Sequence, residues 1–217
     1  MQSVDRRARE GLGMELHEAL SQITEIRRQM ARTEVFRGYR ALPVAFSGLL
    51  ALGAAVAQAS LLPDPSAFLT SYLLLWIGSA VLSAVAAGSE MTFRMRLTGS
   101  ALRRELTWLA VEQFVPCLVA GALVTLVLVR FAPDAIWILP GLWQVMFSLG
   151  VFASCRLLPK ATFGVAVFYL VAGLTCLAFA RGSWTLSPWA MGLPFSLGQF
   201  YAAIVLHRTL ERDDATR

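Results

Sequence analysis

The stretch EIRRQMARTEVFRGYRALPVAFSGLLALGAA, Glu25 to Ala55, changes character near its middle. Up to Arg40 it is thick with arginine and glutamate, and from Ala41 onward it carries no charge. The uncharged part continues to Leu62. A helix crosses the hydrocarbon of a bilayer with about 20 apolar residues, each rising about 1.5 Å. The stretch therefore reads as a charged, helix-prone segment joined to a first membrane span.

The rest of the chain repeats the second half of that pattern. Of 217 residues, 57% are hydrophobic and 15% are charged, where soluble domains carry about 25% charged residues. So few charges cannot cover the surface of a soluble domain this size. Apolar segments follow at Ala41–Leu62, Phe68–Ala87, Phe114–Val129, Ala135–Cys155, Ala161–Ala180 and Pro188–Leu206. The third reaches full length by taking in Leu109 to Gln113. Backbone groups in lipid must be paired within the segment, which requires helices. A β-barrel would show alternating strands of about ten residues, and these runs do not alternate. The predicted fold is all-α: a polytopic membrane protein with six transmembrane helices over residues 41–207.

Arginine sets the expected orientation. There are eighteen arginines and one lysine, with a net charge of +5. Eight arginines precede the first span, and Arg94, Arg96, Arg103 and Arg104 lie between the second and third. Arg156 and Lys160 follow the fourth, and Arg208, Arg212 and Arg217 close the chain. Only Arg130 and Arg181 fall on the other side. The positive side is cytoplasmic, so both termini are expected inside, in a bacterial inner membrane. No cleavable signal peptide is expected, because the first long apolar run is a full span.

Three connections on the other side are short: LPDPSAF (62–68), RFAPDAI (130–136) and RGSWTLSP (181–188). Each contains proline, and short turns join antiparallel neighbours. Three helical hairpins are predicted. The tetrapeptide FSLG at Phe147–Gly150 recurs at Phe195–Gly198, which suggests a hairpin repeat. Residues 88–107 form the one longer cytoplasmic connection. Leu102, Leu106, Leu109 and Ala110 continue a helical stripe there, so the third span is expected to extend inward.

Ahead of the spans, residues 1–13 read as a flexible tail and residues 14–40 as a cytoplasmic amphipathic helix. Leu16, Leu20, Ile23, Ile26 and Met30 recur at helical spacing, with Glu15, Glu18, Glu25, Arg28 and Arg32 opposite. This stripe is expected to dock on lipid headgroups, on a second copy, or on a cytoplasmic protein, through residues 14–37. Residues 208–217 read as a cytoplasmic tail.

Small residues let membrane helices approach closely. Ala51 and Ala55 on the first span, and Ala80 and Ala84 on the second, form i, i+4 ridges. They are expected to bring the first hairpin together. Ionisable residues inside a membrane are functional suspects, and Glu112, beside Gln113, is the main one. It is expected either to pair with an arginine such as Arg37, Arg40 or Arg104, or to hold a proton or cation. Gln144 and Gln199 are the other polar candidates, either as interhelical glue or as the lining of a path. Pro140 and Pro194 can interrupt their helices, as transport sites often require.

Enzyme signatures are missing from the sequence: no HExxH, CxxC, GxSxG or phosphate-loop pattern occurs. The three cysteines lie in apolar runs without metal spacing. No cofactor and no nucleic-acid partner are expected. The predicted function is a non-enzymatic membrane protein with a sensory, regulatory or scaffolding role through its cytoplasmic helix. The alternative is a small transporter or channel for a neutral or apolar solute.

Overall fold

The computed structural model describes residues 41–98, 101–155 and 158–211. The expected tail and amphipathic helix, with the stripe Leu16, Leu20, Ile23, Ile26 and Met30, lie outside the described residues, as does 212–217. Among the described residues all regular structure is helical. The helices are α1 (Ala41–Leu61), α2 (Leu69–Thr98), α3 (Ala101–Phe131), α4 (Leu139–Ser154), α5 (Thr162–Phe179) and α6 (Pro188–Leu206). A tight 3-10 turn, Pro133–Ile138, leads into α4, and another, Gly182–Trp184, precedes α6. Among the described residues, six helical segments are long and apolar enough to cross a membrane.

Within the expected connection 88–107, the described residues, 88–98 and 101–107, are helical. Apolar character ends at Phe93 in one direction and resumes at Val111 in the other. Nevertheless α2 runs to Thr98 and α3 begins at Ala101. Methionine, leucine and arginine favour helix regardless of which solvent surrounds them. Both helices therefore outlast the apolar windows that the sequence marks off.

Local chemistry sets the helix starts. Pro140 and Pro188 occupy first turns, where a missing N–H costs nothing. Asp64 holds the turn before α2: its Oδ1 accepts from the Ser66 N–H, the Ser66 hydroxyl and the Ala67 N–H at 3.2, 2.9 and 3.1 Å. Leu186, in the loop before α6, has φ of 54°, a left-handed conformation that is unfavourable for a bulky residue. Its side chain is buried in the core beside Ala55, Tyr72 and Met191. Its carbonyl accepts a hydrogen bond from Gln58 of α1 at 2.7 Å. Burial and that bond together offset the strain.

The broadest interfaces join α1 to α6 and α4 to α5, and α2 and α3 scarcely touch. Only 11% of each apolar window of α2 and α3 is buried, against 33–39% for the other four, so these two helices are peripheral. Small residues explain the broad contacts. A Cβ placed on Gly141 or on Gly173 would stand 2.8 Å from the other's carbonyl oxygen, so α4 and α5 cross backbone to backbone.

The ridge on α1 finds a partner other than the expected one. Ala51 and Ala55 are buried, and a Cβ on Gly192 of α6 would overlap that of Ala55. Ala80 and Ala84 are exposed on α2. A glycine presents bare backbone, so α6 offers α1 a closer approach than an alanine ridge on α2 could.

Candidate functional site

Four side chains form an aromatic cluster at mid-bundle. The Phe147 ring centroid lies 5.3 Å from Phe114, 4.7 Å from Tyr169 and 5.5 Å from Phe195. Edge and tilted pairings of this kind add about 0.5–1.5 kcal/mol each beyond area burial. The repeated FSLG explains part of the geometry. Its phenylalanines, Phe147 and Phe195, meet each other. Its glycines each lie beneath a ring, Gly150 under Phe114 and Gly198 under Tyr169. Its first serine, Ser148, donates to the Ala166 carbonyl of α5 at 2.8 Å.

Around this cluster the polar side chains reach for backbone on neighbouring helices. Gln144 is fully buried on α4, and its Nε2 donates to the Ala190 carbonyl of α6 at 2.8 Å and to the Pro140 carbonyl at 3.1 Å. Ala190 stands four residues before Pro194. Proline has no N–H to return to the carbonyl one turn back, so Gln144 supplies the donor that α6 lacks. Tyr169 donates to the Phe195 carbonyl at 3.2 Å, and the Gln199 side chain reaches the same phenol. Gln58 gives its Nε2 to Leu186 and accepts from the Trp76 indole N–H at 2.7 Å. The Trp143 indole donates to Thr125 across the same spacing of 18 residues, at 2.8 Å.

The sequence candidates are thus dispersed. Gln144 joins α4 to α6. Gln199 is half-buried on α6, and its Cβ would lie 3.2 Å from one added at Gly48 of α1. Glu112 is exposed on α3. Arg37 and Arg40, its expected partners, lie outside the described residues, as does the side chain of Arg104. Gln113 is half-buried, and its Oε1 has no partner among the described residues. The same holds for Gln144 Oε1 and the Tyr72 hydroxyl.

Tyr169 is the member that residue type alone did not single out. The signal for Gln144 was present as Pro194, which announces an unpaired carbonyl at Ala190. Nothing in the sequence says which helix supplies the donor. No cluster of metal-ligating side chains occurs among the described residues. An open groove of about 430 Å³ lies between α1 and α2, lined by Ala57, Leu61, Leu62, Ser71, Leu74 and Leu75. Gln113, Gln144 and Gln199 are not among the residues that line it. No family model, curated protein or solved structure matches this chain.

Proposed function

We propose that this chain is an integral membrane protein without catalytic chemistry, whose bundle is a closed anchor and whose N-terminal segment captures a partner. The observation that carries this reading is the use of Gln144. The interruption of α6 at Pro194 is closed by the fully buried Gln144, through its bond to Ala190. A transport site would leave such a carbonyl for the solute. Ser148 and Tyr169 are engaged in the same way on Ala166 and Phe195. Polar groups of this kind hold helices together.

The capturing part is the stripe Leu16, Leu20, Ile23, Ile26 and Met30. The arginine bias supports placing it, with both termini, in the bacterial cytoplasm. A second copy or a soluble cytoplasmic protein is the intended occupant, and the role is scaffolding or regulatory.

Three experiments test the proposal. Deleting residues 1–35 should leave the bundle folded and abolish oligomer formation or partner capture. Unchanged size and unchanged capture refute the role of the stripe. Liposomes containing the full chain should show no flux of small neutral solutes above empty controls. Flux that disappears in Gln144→Leu would establish the transporter reading instead. Membrane-impermeant thiol reagents should fail to label a cysteine placed near residue 5 in intact cells.

A further inference from the structure

The loop between α3 and α4 and the loop between α5 and α6 meet through a cation and a ring. The guanidinium carbon of Arg181 stands 4.4 Å from the centroid of the Trp137 ring. Trp137 belongs to the turn Pro133–Ile138, and Arg181 directly precedes the turn Gly182–Trp184. The backbone of Arg181 is fixed on both sides. Its N–H donates to the Phe179 carbonyl at 2.8 Å, and its own carbonyl accepts from the Trp184 N–H at 3.2 Å. The side chain stays exposed.

The contact with the ring faces the charge and uses up no hydrogen-bonding partner, so the N–H donors of the exposed guanidinium still call for acceptors. No carboxylate among the described residues pairs with them. At this end of the bundle Asp64 is engaged by Ser66 and Ala67, and Asp134, although exposed, forms no ion pair with Arg181. A cation held against a ring and lacking an anion among the described residues can take one from outside the bundle.

The surroundings say which anion. The apolar windows of α3 and α5 end at Phe131 and Phe179, so Arg181 lies just past the point where a membrane-spanning segment stops. Phe131, Phe179 and Trp184 are 79%, 77% and 61% exposed. A tryptophan at such a boundary sits where headgroups meet the hydrocarbon, and an exposed phenylalanine beside it offers apolar surface to acyl chains. The ligand chemistry is a phosphate with two free oxygens, which a guanidinium edge grips with parallel N–H bonds. Free phosphate would gain nothing from the apolar flank. An anionic phospholipid has both parts.

We propose that Arg181, seated on Trp137, binds the phosphodiester of an anionic lipid headgroup, with Phe179 and Trp184 against its acyl chains. The inference rests on the membrane reading of the six helices, and the first measurement separates the two. Wild-type protein should stay in the membrane pellet after an alkaline carbonate wash. Release would overturn the membrane reading and this site with it.

The site itself is tested on the purified full chain by native mass spectrometry and thermal melting, with phosphatidylglycerol against phosphatidylcholine. Wild type should retain phosphatidylglycerol preferentially and melt higher in its presence. Arg181→Gln and Trp137→Leu should each weaken that retention about tenfold, the scale of one charge-assisted bidentate contact. Equal retention of both lipids by the wild type overturns the proposal, and that comparison stands even where a variant fails to fold. A variant that melts lower in both lipids while keeping the preference also overturns it, since that is the signature of a simple tie between loops. A melting shift reproduced by inorganic phosphate alone rules out the lipid as the source.

Discussion

The side-chain amide of Gln144 donates to the carbonyl of Ala190 at 2.8 Å, from α4 to α6. That carbonyl is the one Pro194 leaves without an intrahelical donor. A glutamine on one helix thus completes the backbone of another, and the stability of α6 depends on a residue 46 positions away.

The dependence can be measured with a double-mutant cycle. Gln144→Leu should cost about 1–3 kcal/mol, the penalty for a buried polar group left unpaired. Pro194→Ala gives α6 its own donor at that position. In the Pro194→Ala background, Gln144→Leu should therefore cost clearly less. Unfolding in mixed micelles with an ionic detergent reads both. Additive losses would show that Gln144 does not act through the Ala190 carbonyl.

A second set of substitutions separates the two alanine ridges. Gly192→Val puts side-chain atoms where the Ala55 methyl already stands, and overpacking of this kind costs about 1–3 kcal/mol. Ala55→Leu should be damaging for the same reason, being fully buried. Ala84→Leu, on the exposed face of α2, should leave the melting temperature in detergent unchanged. Equal losses at Ala55 and Ala84 would return the contact to the first hairpin.

Gln58, Trp76 and Leu186 make a third test. Gln58→Leu strands the Trp76 N–H and the carbonyl of strained Leu186 together. Trp76→Phe strands only the Gln58 oxygen. The coupling between the two substitutions should be about 0.6 kcal/mol and at most about 1.7 kcal/mol, the range measured for hydrogen bonds between membrane helices. Zero coupling would mean that the indole and the amide do not interact energetically.

The pH dependence of the α1–α2 turn follows from Asp64. The Ser66 hydroxyl bond, followed by the Ala67 N–H, holds its carboxyl below the usual value of 3.8. A lowered folded-state pKa means that the carboxylate contributes stability above 3.8, which is lost as pH falls through the folded value. Hydrogen exchange at the Ser66 and Ala67 amides reads this directly. Protection there should be higher in wild type than in Asp64→Ala at neutral pH, and the difference should shrink below about pH 4. Equal protection of these amides in wild type and Asp64→Ala at neutral pH would exclude the carboxylate as the cap.

Some of this organisation was legible residue by residue. The spans Ala41–Leu62 and Pro188–Leu206 were marked by composition and agree with α1 and α6 to within one residue. Pro194 flagged an interrupted helix, and the FSLG repeat flagged two corresponding positions on α4 and α6. The ridge of Ala51 and Ala55 was visible, but its partner was not. Periodicity identifies the face a helix will bury. It carries no information about which of five other helices will cover that face, and Gly192 looks no different in sequence from Gly78 or Gly88, which meet nothing.

The sequence by itself determined the element type, because unpaired backbone in hydrocarbon leaves helix as the one spanning structure for uninterrupted apolar runs. It also determined how many such runs exist and where they turn, through the Asp64, Pro133 and Pro188 loops. Only the tertiary structure decided the neighbours: α1 against α6, α4 against α5, and Gln144 against Ala190. Those choices depend on close approach between backbones distant in the chain, and close approach is a property of pairs of surfaces, which no single segment contains.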